Sequence, residues 1–425
     1  MIEYKDFLNL KYTPKKDDLI VLFKIKPSKG FSMKDASSRV ASESSNGTWA
    51  ALFPPEHIKE LSAQCYDIKG NYAKIAYPGD LFEQGNMPQI LSSIAGNIFG
   101  MKAVDGLRIE DVKWPEKIIK SFMHPQFGIE GVRKIMKIKK RPITATVPKP
   151  KVGYYAEEHA KIGYDLWLGG VDLLKDDENL SNQKFNPFEK RLRLSMKMRE
   201  KAEKETGEKK SYLVNITAET DEMVKRAKMA KDYGNEYVMI DILTAGWASV
   251  QTVRKKCQDL KLAIHAHRAF HASFDRNPNH GMAMKVLCEI ARIQGVDQIH
   301  IGGMGKLAGE KEEIKENWTK CSSSSNNETK NMLEQNWFGT KPILGVCSGG
   351  LHVGIVERLF NMLGTDIAIQ VGGGVLGHPD GVLAGAKALR QSIDAYMSKI
   401  PLKEYAEKHK ELKTALNSWG YETPI

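Results

Sequence analysis

The spacing of hydrophobic and polar positions predicts a mixed domain in the first part of the chain. Strand-like apolar runs and alternations occur there, with helical periodicity between them. The predicted elements are a strand over 18–26, a helix capped by Ser32 that reaches residue 42, strands over 63–69 and 72–77 joined at Gly70, a helix over 87–99 and a strand over 102–112. Because Pro115 and the stretch 122–128 mark a boundary, we predict an α+β N-terminal domain over residues 1–123.

After this boundary the pattern becomes a repeated strand, loop and helix. Eight apolar, β-branched runs occur, at 142–147, 170–174, 212–216, 237–243, 262–267, 298–301, 342–347 and 367–371. Amphipathic helices fit between them, at 156–167, 187–205, 219–233, 247–259, 281–294, within 310–337, and at 351–363 and 379–397. This rhythm predicts a parallel (β/α)8 TIM barrel over residues 124–425, with a last helix, 402–417, packed outside it. A doubly wound open sheet is the alternative, but it rarely keeps so even a count.

Composition narrows the class of protein. With 41% hydrophobic and 27% charged residues, the chain resembles an ordinary globular protein. No apolar run approaches the roughly 20 residues of a membrane span, and the N-terminus lacks the apolar segment of a signal peptide. The five cysteines are scattered and lack CxxC spacing. We therefore expect a cytoplasmic protein with no membrane partner, disulfide framework or zinc site.

The net charge of +11 is compatible with nucleic acid, with an anionic small substrate, or with neither. Much of the excess lies on helices such as 189–201, in which both signs of charge are interspersed. Such a pattern indicates a solvated face rather than a stripe that follows phosphates. We therefore expect no nucleic-acid partner.

The most unusual chemistry follows the second predicted strand, where Lys175 precedes Asp176, Asp177 and Glu178. Adjacent carboxylates repel one another and raise each other's pKa unless a cation neutralises them. One interpretation is a site for Mg²⁺, which binds oxygen ligands and keeps water or substrate oxygens in its shell. The other is the first turn of a helix, where acidic residues are favourable.

Polar residues also collect at the ends of five other predicted strands, and barrels carry their active sites at this C-terminal rim. The residues are Lys149 and Lys151 at the end of strand one, His265, His267 and Arg268 at the end of strand five, His300 and then Lys306 at the end of strand six, Ser348, Gly349 and Gly350 at the end of strand seven, and Gly372, Gly373 and Gly374 at the end of strand eight. Each alone has an ordinary explanation, such as a tight turn or a satisfied core histidine. Their coincidence at one rim favours a functional site.

Two features of this rim indicate phosphate groups. The glycine loops after strands seven and eight expose backbone N–H groups, where barrels commonly bind phosphate. Arg268 with His300 forms a second cationic group, and arginine binds phosphate through paired donors. A metal between two anion sites suggests Mg²⁺-assisted enolisation of a sugar bisphosphate. This reasoning leaves open whether isomerisation, aldol cleavage or carboxylation follows.

Several motifs resemble the large chain of ribulose-1,5-bisphosphate carboxylase/oxygenase (Rubisco), most closely its archaeal form III type. They span the chain and recur in the family's order. The motifs are ESSNGTW at 43–49, GNIFG at 96–100, GGVDLLKDDEN at 169–179, HRAFH at 267–271, NHGM at 279–282 and GGGVLGHP at 372–379.

The resemblance implies a catalytic role for the rim residues. Lys175 would react with carbon dioxide to give a carbamate, which would join Asp177 and Glu178 as Mg²⁺ ligands. The carbamate would also take the proton from the sugar to form the enediolate. Lys149 would handle protonation at the end of the cycle, and His267 would assist proton transfer.

The resemblance also assigns contacts to carbon dioxide and the substrate. Lys306 would stabilise the adding carbon dioxide, with Glu43 orienting it and Lys151 supporting this shell. The implied substrate contacts are Thr48, Trp49, Gly350, Gly372 and Gly373 for one phosphate, Arg268 and His300 for the other, and Ser348 for the sugar hydroxyls, with Gln370 beside that site. Gly349, in the glycine loop after strand seven, is a further implied substrate contact.

Four of the implied site residues lie in the N-terminal domain: Glu43, Thr48, Trp49 and Asn97. In this family such residues complete the barrel of a neighbouring subunit. The resemblance therefore implies a homodimer, or a multiple of dimers, with shared active sites and no small subunit. It implies carboxylation and oxygenation of ribulose 1,5-bisphosphate, with 3-phosphoglycerate as the carboxylation product, in archaeal AMP and nucleotide salvage.

Two other functions remain as alternatives. A Rubisco-like enolase would use the same metal and enolisation without adding carbon dioxide. Such proteins typically lose some carboxylation residues, whereas Lys149, His267, Lys306 and Glu43 are all present here. A basic nucleic-acid-binding protein on an inert barrel would bind duplexes in a salt-dependent manner.

Overall fold

A computed structural model describes residues 1–305 and 310–423. The chain divides into two compact units. The first comprises Met1–His124, Phe270–Gln294 and Ser323–Thr340, and the second comprises Pro125–Ala269, Gly295–Ser322 and Lys341–Ile425. The predicted domains are continuous segments that meet at residue 123, and that division stays a prediction.

The first unit is built on a five-stranded mixed sheet. Its strands lie in the order Gly281–Met282, Val104–Lys113, Leu19–Pro27, Tyr72–Tyr77 and Gln64–Lys69. The two-residue strand is parallel to its neighbour, and the longer strands are antiparallel. The predicted hairpin at Gly70 is confirmed, because the tight turn returns the chain directly onto the adjacent strand.

The predicted cap at Ser32 is also confirmed. The Ser32 hydroxyl accepts a hydrogen bond from the Asp35 backbone, and the Asp35 carboxylate accepts one from the Ser32 backbone, which starts the helix Met33–Glu43. The other helices of this unit are Glu56–Lys59, Met87–Ile94, Glu116–Lys120, Ala272–Asp275 and Met284–Gln294, with 3-10 turns at Tyr4–Phe7, Gly79–Leu81 and Asn97–Gly100 and a strand pair at Ser325–Asn326 and Gln335–Asn336.

The second unit contains eight parallel strands that form a nearly closed barrel, as predicted. Numbered one to eight, they are Ile143–Thr146, Leu173–Lys175, Ser211–Leu213, Tyr237–Asp241, Ala263–His267, Gln298–His300, Leu344–Cys347 and Ile367–Gln370. Strand eight pairs with strand one, and strands three and four meet through a bridge between Asn215 and Met239.

Helices alternate with these strands. The helices of the second unit are Gly128–Met136, Ala156–Leu168, Phe188–Thr206, Thr220–Asp232, Ile242–Ala245, Trp247–Leu260, Lys311–Ser322, Val356–Leu363, Gly373–Leu376, Val382–Met397, Leu402–Glu407 and Lys410–Trp419. The predicted last helix over 402–417 is therefore two helices. The helix after strand five begins at Met284 and belongs to the first unit. Its predicted start at residue 281 is wrong, because Gly281 and Met282 pair as a strand with Arg108 and Ile109.

The two ends of the barrel strands differ in character. Apolar first residues such as Ile143, Leu173 and Leu344 join one buried core cluster with side chains of the helix Gly128–Met136. Burying such a cluster supplies the main stabilisation of a barrel. The polar functional residues are left for the opposite strand ends.

Among the described residues, no helix is long and apolar enough to cross a membrane.

Candidate active site

The C-terminal rim of the barrel is polar. Six strands end in a polar residue: Thr146, Lys175, Asp241, His267, His300 and Gln370. Because all eight strands run parallel, these residues lie at the same end of the barrel, which is where barrel enzymes carry their active sites.

Lys175 is the central buried charge of this rim. Its side chain is fully buried, and Nζ donates to the backbone oxygen of Asp176 at 2.7 Å and lies 3.3 Å from Glu178 Oε2. The next helix begins only at Phe188. The interpretation of this acidic run as the first turn of a helix is therefore wrong.

Asp176 forms a structural ion pair with Arg191. Its carboxylate accepts from Arg191 Nη2 at 3.1 Å and from the Asn215 backbone at 2.9 Å, and the Tyr212 hydroxyl donates to its other oxygen. Burial alone would raise the pKa of Asp176, but Arg191 and then His159 hold that pKa well below its usual range. Asp176 is thus paired with a buried arginine of the following helix, whereas lysines lie beside the other two carboxylates.

Replacing Arg191 by leucine should destabilise the protein by about 3–5 kcal/mol, because Asp176 would remain buried without its partner. Urea unfolding at neutral pH measures this loss. Without Arg191, burial should raise the pKa of Asp176 in the folded variant. The loss of stability should therefore shrink as the pH falls toward about 4, because Asp176 becomes protonated and loses its buried charge. Arg193 is exposed on the same helix, so Arg193→Leu is the matched control. Equal stability of the two variants would contradict the structural role of Arg191.

Asp177 and Glu178 are the carboxylates that lie beside the two lysines of the rim. Lys149 Nζ donates to Asp177 Oδ2 at 2.9 Å, and the Asn179 side chain donates to Asp177 Oδ1 at 2.9 Å. Burial acts to raise the pKa of Glu178, but the charges of Lys175 and His267 outweigh it and lower that pKa to about 2. The Glu178 carboxylate is therefore anionic at neutral pH.

The residues fit Mg²⁺ once Lys175 changes its charge. Among the described residues, no group of three His, Cys, Asp or Glu side chains could hold a metal ion. Asp177 and Glu178 provide hard oxygen ligands, and the Lys175 ammonium lies beside Glu178. A carbamate on Nζ would replace that cation with an anionic oxygen donor, which is the ligand type that Mg²⁺ prefers.

His267 is held by a residue that the sequence analysis missed. Asp241, the last residue of strand four, lies 2.6 Å from His267 Nδ1, so Nδ1 carries the proton that this carboxylate accepts. His267 Nε2 lies 3.5 Å from Glu178 Oε2. Burial and the charge of Lys175 lower the pKa of His267. The signal for Asp241 in the sequence is an acidic residue at the end of an apolar strand.

His300 is neutral rather than cationic. Burial, followed by the neighbouring His265 and His267, holds the pKa of His300 well below its usual value. The expectation of a positive charge on His300 is therefore wrong. Arg268 is half-buried beyond strand five, and its charge also acts on His300. The contact of both residues with a phosphate stays a prediction.

The glycine loops approach one another closely. A Cβ on Gly303 would lie 2.8 Å from the Ser348 backbone oxygen, and one on Gly305 would collide with the Gly349 carbonyl. Gly349 and Gly350 have φ values of 109° and 76°, which favour glycine. A Cβ on Gly372 would lie 3.3 Å from Lys149 Cε. A Cβ on Gly374 would lie 2.5 Å from the Leu351 backbone oxygen, so the loops after strands six, seven and eight lie side by side at this rim.

Two buried polar atoms at the rim lack a described partner. They are Thr146 Oγ1 on strand one and Gln370 Oε1 on the adjacent strand eight. An unpaired buried polar atom is costly unless a ligand or water satisfies it. Gln370 was predicted from the resemblance, whereas Thr146 was missed. Its signal is a hydroxyl at the last position of strand one.

The predicted site residues are divided between the two units. Glu43, Thr48, Trp49 and Asn97 lie in the first unit, where Trp49 is 84% exposed. Lys151 is exposed shortly after strand one, and Gly373 begins the short helix Gly373–Leu376. Lys306 lies outside the described residues.

Comparison with known sequences extends over both units. The model of the ribulose bisphosphate carboxylase large chain, N-terminal domain, matches residues 6–118, and that of the catalytic domain matches residues 128–419. The ribulose bisphosphate carboxylase of Archaeoglobus fulgidus is 48% identical over 435 aligned positions, covering 99% of both chains. That of Pyrococcus abyssi is 49% identical over 427 positions, covering 99% of this chain and 98% of the relative.

Solved structures give the same result. A dimeric archaeal Rubisco from Hyperthermus butylicus superposes with a TM-score of 0.93 at 48% identity, covering 99% of this chain and 100% of the other. An octameric Rubisco from Pyrococcus horikoshii, solved with sulfate, gives 0.92 at 47% identity, covering 100% and 98%. Since sequence, fold and both matched domains agree along the full length, this chain belongs to the ribulose bisphosphate carboxylase large-chain family and is an enzyme of the carboxy-lyase class.

Proposed function

We propose that the protein catalyses the Mg²⁺-dependent carboxylation of ribulose 1,5-bisphosphate to 3-phosphoglycerate through an enediolate, with oxygenation as its second reaction. The observation that carries this proposal is the fully buried Lys175, whose Nζ lies 3.3 Å from Glu178 Oε2 at the polar rim of a family member. A lysine in this position can react with carbon dioxide and complete a set of oxygen ligands with Asp177 and Glu178.

In this proposal Mg²⁺ is held by Lys175 as its carbamate, Asp177 and Glu178. Such an ion supplies electrostatic stabilisation to a developing enediolate. As the carbamate, Lys175 would be the base that takes the proton from the sugar carbon. Asp241 keeps the proton of His267 on Nδ1 at 2.6 Å, which leaves Nε2 available for proton transfer. Lys149 carries a proton at Nζ, 2.9 Å from Asp177 Oδ2, and returns it at the end of the cycle.

The substrate would be held along the same rim. The glycine loops at Gly349, Gly350, Gly372 and Gly373 take one phosphate through backbone N–H groups. Arg268 takes the other phosphate, with His300 beside it. Ser348 and Gln370 contact the sugar hydroxyls, Lys151 supports this shell, and Lys306 stabilises the incoming carbon dioxide.

The function is tested by supplying ribulose bisphosphate, Mg²⁺ and labelled bicarbonate without air. We expect acid-stable label in 3-phosphoglycerate, and the signal should disappear when Mg²⁺ is chelated. If the substrate is enolised but no label enters an acid-stable product, the Rubisco-like enolase is the correct assignment. If the substrate is neither enolised nor carboxylated, the proposal fails.

We also propose a homodimer, or a multiple of dimers, without a small subunit, whose active sites are shared between subunits. Dimeric and octameric relatives support this assembly, as does the large exposed surface of Trp49. Glu43, Thr48, Trp49 and Asn97 would then come from the neighbouring subunit.

Shared sites predict complementation between two inactive variants. Glu43→Gln and Lys175→Ala should each be inactive alone. After subunit exchange, hybrid dimers should recover about a quarter of the original activity, because half of the dimers are mixed and each has one intact site. Absence of recovery, with exchange verified by mass spectrometry, would argue for sites within single chains.

The physiological role that we propose is AMP and nucleotide salvage, in which ribulose bisphosphate derives from nucleoside monophosphates. Cells that lack the protein should accumulate ribulose bisphosphate when supplied with AMP. Unchanged ribulose bisphosphate levels would place the enzyme in another pathway.

A further inference from the structure

Four side chains form a continuous hydrogen-bonded chain from the barrel wall to the rim. Gln298 Nε2 lies 2.7 Å from His265 Nδ1, His265 Nε2 lies 2.9 Å from His300 Nε2, and His300 Nδ1 lies 2.7 Å from Ser348 Oγ. Gln298, His265 and His300 are buried, and Ser348 is half-buried. This hydrogen-bonded chain therefore begins at the start of strand six and ends at the glycine loop after strand seven.

Both imidazoles in this chain are neutral. Burial is the largest cause that holds the pKa of His265 well below its usual value, and it does the same for His300. A neutral imidazole has one N–H donor and one acceptor nitrogen. One fixed donor at either end of this hydrogen-bonded chain therefore determines which nitrogen of each imidazole carries the proton.

Gln298 provides that fixed donor. In the observed orientation its amide nitrogen donates to His265 Nδ1, and its buried Oε1 has no described partner. The opposite orientation would bury the amide N–H₂ group without a described acceptor. Unpaired buried N–H groups are rarer than under-satisfied carbonyl oxygens. The observed orientation is therefore favoured.

The direction of the remaining hydrogen bonds follows from this orientation. His265 accepts at Nδ1, so its proton is on Nε2 and is donated to His300 Nε2. His300 must then carry its proton on Nδ1 and donate it to Ser348 Oγ. Because Ser348 Oγ accepts this bond, its own hydroxyl proton is free to be donated away from His300.

We propose that Gln298 is a positioning residue that orders this chain and makes the Ser348 hydroxyl a hydrogen-bond donor toward the active site. The ordering concerns the protein alone, whereas donation to a sugar oxygen rests on the proposed function. If the hydrogen bonds ran in the opposite direction, Ser348 would donate to His300 and would present only lone pairs to the sugar. Gln298 contributes no contact of its own in this proposal and acts only through the two histidines.

Histidine tautomers in the substrate-free protein test the ordering directly. The protein is labelled with ¹⁵N-histidine, and long-range ¹⁵N–¹H correlations distinguish protonated from unprotonated ring nitrogens. Spectra of His265→Asn and His300→Asn assign the two signals among the 11 histidines. We expect the proton on Nε2 of His265 and on Nδ1 of His300. The reverse pair of tautomers, or a charged imidazole at either position, would overturn the proposal.

A double-mutant cycle tests whether Gln298 acts through Ser348. Gln298→Met keeps the side-chain length but removes the donor, and it should lower kcat/KM for ribulose bisphosphate about tenfold. In a Ser348→Ala background the same substitution should lower kcat/KM less than about twofold, since residues that act as a unit are not additive. Equal losses in both backgrounds would show that Gln298 is merely structural.

Gln294 supplies the matched control. It is equally buried, and its side chain has no described hydrogen-bond partner, so Gln294→Met should leave kcat/KM within about twofold. A comparable loss in this variant would overturn the specific role of Gln298. Absence of carboxylation in the unmodified protein would refute the proposed function instead, and the tautomers would still decide the ordering.

Discussion

Replacing Lys175 by methionine is expected to abolish carboxylation, with kcat at least about 10³-fold lower. Methionine preserves the apolar stem of this fully buried side chain but cannot form a carbamate. It also leaves Glu178 without the cation that lies 3.3 Å away. The electrostatic contribution of a catalytic metal amounts to several kcal/mol, and each 1.4 kcal/mol corresponds to about tenfold in rate. The measurement is the rate of labelled 3-phosphoglycerate formation at saturating substrate and Mg²⁺.

A second readout separates the loss of the carbamate from general damage. In the unmodified protein, ¹³C-labelled carbon dioxide should give a carbamate signal by NMR, and Lys175→Met should lack it. Lys210 is an equally buried lysine directly before strand three, paired with Glu208 at 2.8 Å. Lys210→Met should lower stability yet retain the carbamate signal. More than about 1% residual activity in folded Lys175→Met would exclude the role proposed for this lysine.

The architecture of the barrel was predictable because each strand is a short apolar run followed by a helix-periodic segment. That pattern depends on burial alone and needs no knowledge of partners. The pattern predicted a wrong helix start at residue 281, where the chain pairs with a strand that is distant in sequence. Gly281 and Met282 continue the apparent periodicity of their helix, but they pair with Arg108 and Ile109, which lie far away in sequence. Long-range pairing of this kind leaves no local signal.

The candidate site was predictable in outline but not in its charges. Parallel strands must present their last residues at one rim, so the identity of the rim residues followed from the predicted barrel. Three adjacent carboxylates could not be told apart in the sequence, and the structure separates Asp176 from the other two by its contact with Arg191. Likewise, the neutrality of His300 arises from burial beside His265, which no spacing reveals.

Replacing Asp241 by asparagine is expected to lower kcat by about 10²-fold or more with little change in KM. The carboxylate accepts the proton of His267 Nδ1 at 2.6 Å and thereby keeps Nε2 unprotonated toward the rim. An asparagine amide can instead donate to Nδ1, which would move the imidazole proton to Nε2 and leave no base facing the substrate. An asparagine in this role costs up to about 10⁴-fold in hydrolytic triads, where the imidazole takes the wrong tautomer.

Steady-state kinetics of Asp241→Asn and Asp241→Glu distinguish a change of tautomer from a loss of packing. Asp241→Glu retains an anionic acceptor and should recover a substantial part of kcat, although its longer side chain fits less well. Asp241 is only 3% exposed, and asparagine matches it in size, so Asp241→Asn changes the charge at the end of strand four while leaving the packing nearly unchanged. If Asp241→Asn keeps most of its kcat while Asp241→Glu loses activity, the size of the side chain matters rather than its charge, and His267 needs no acidic partner for proton transfer.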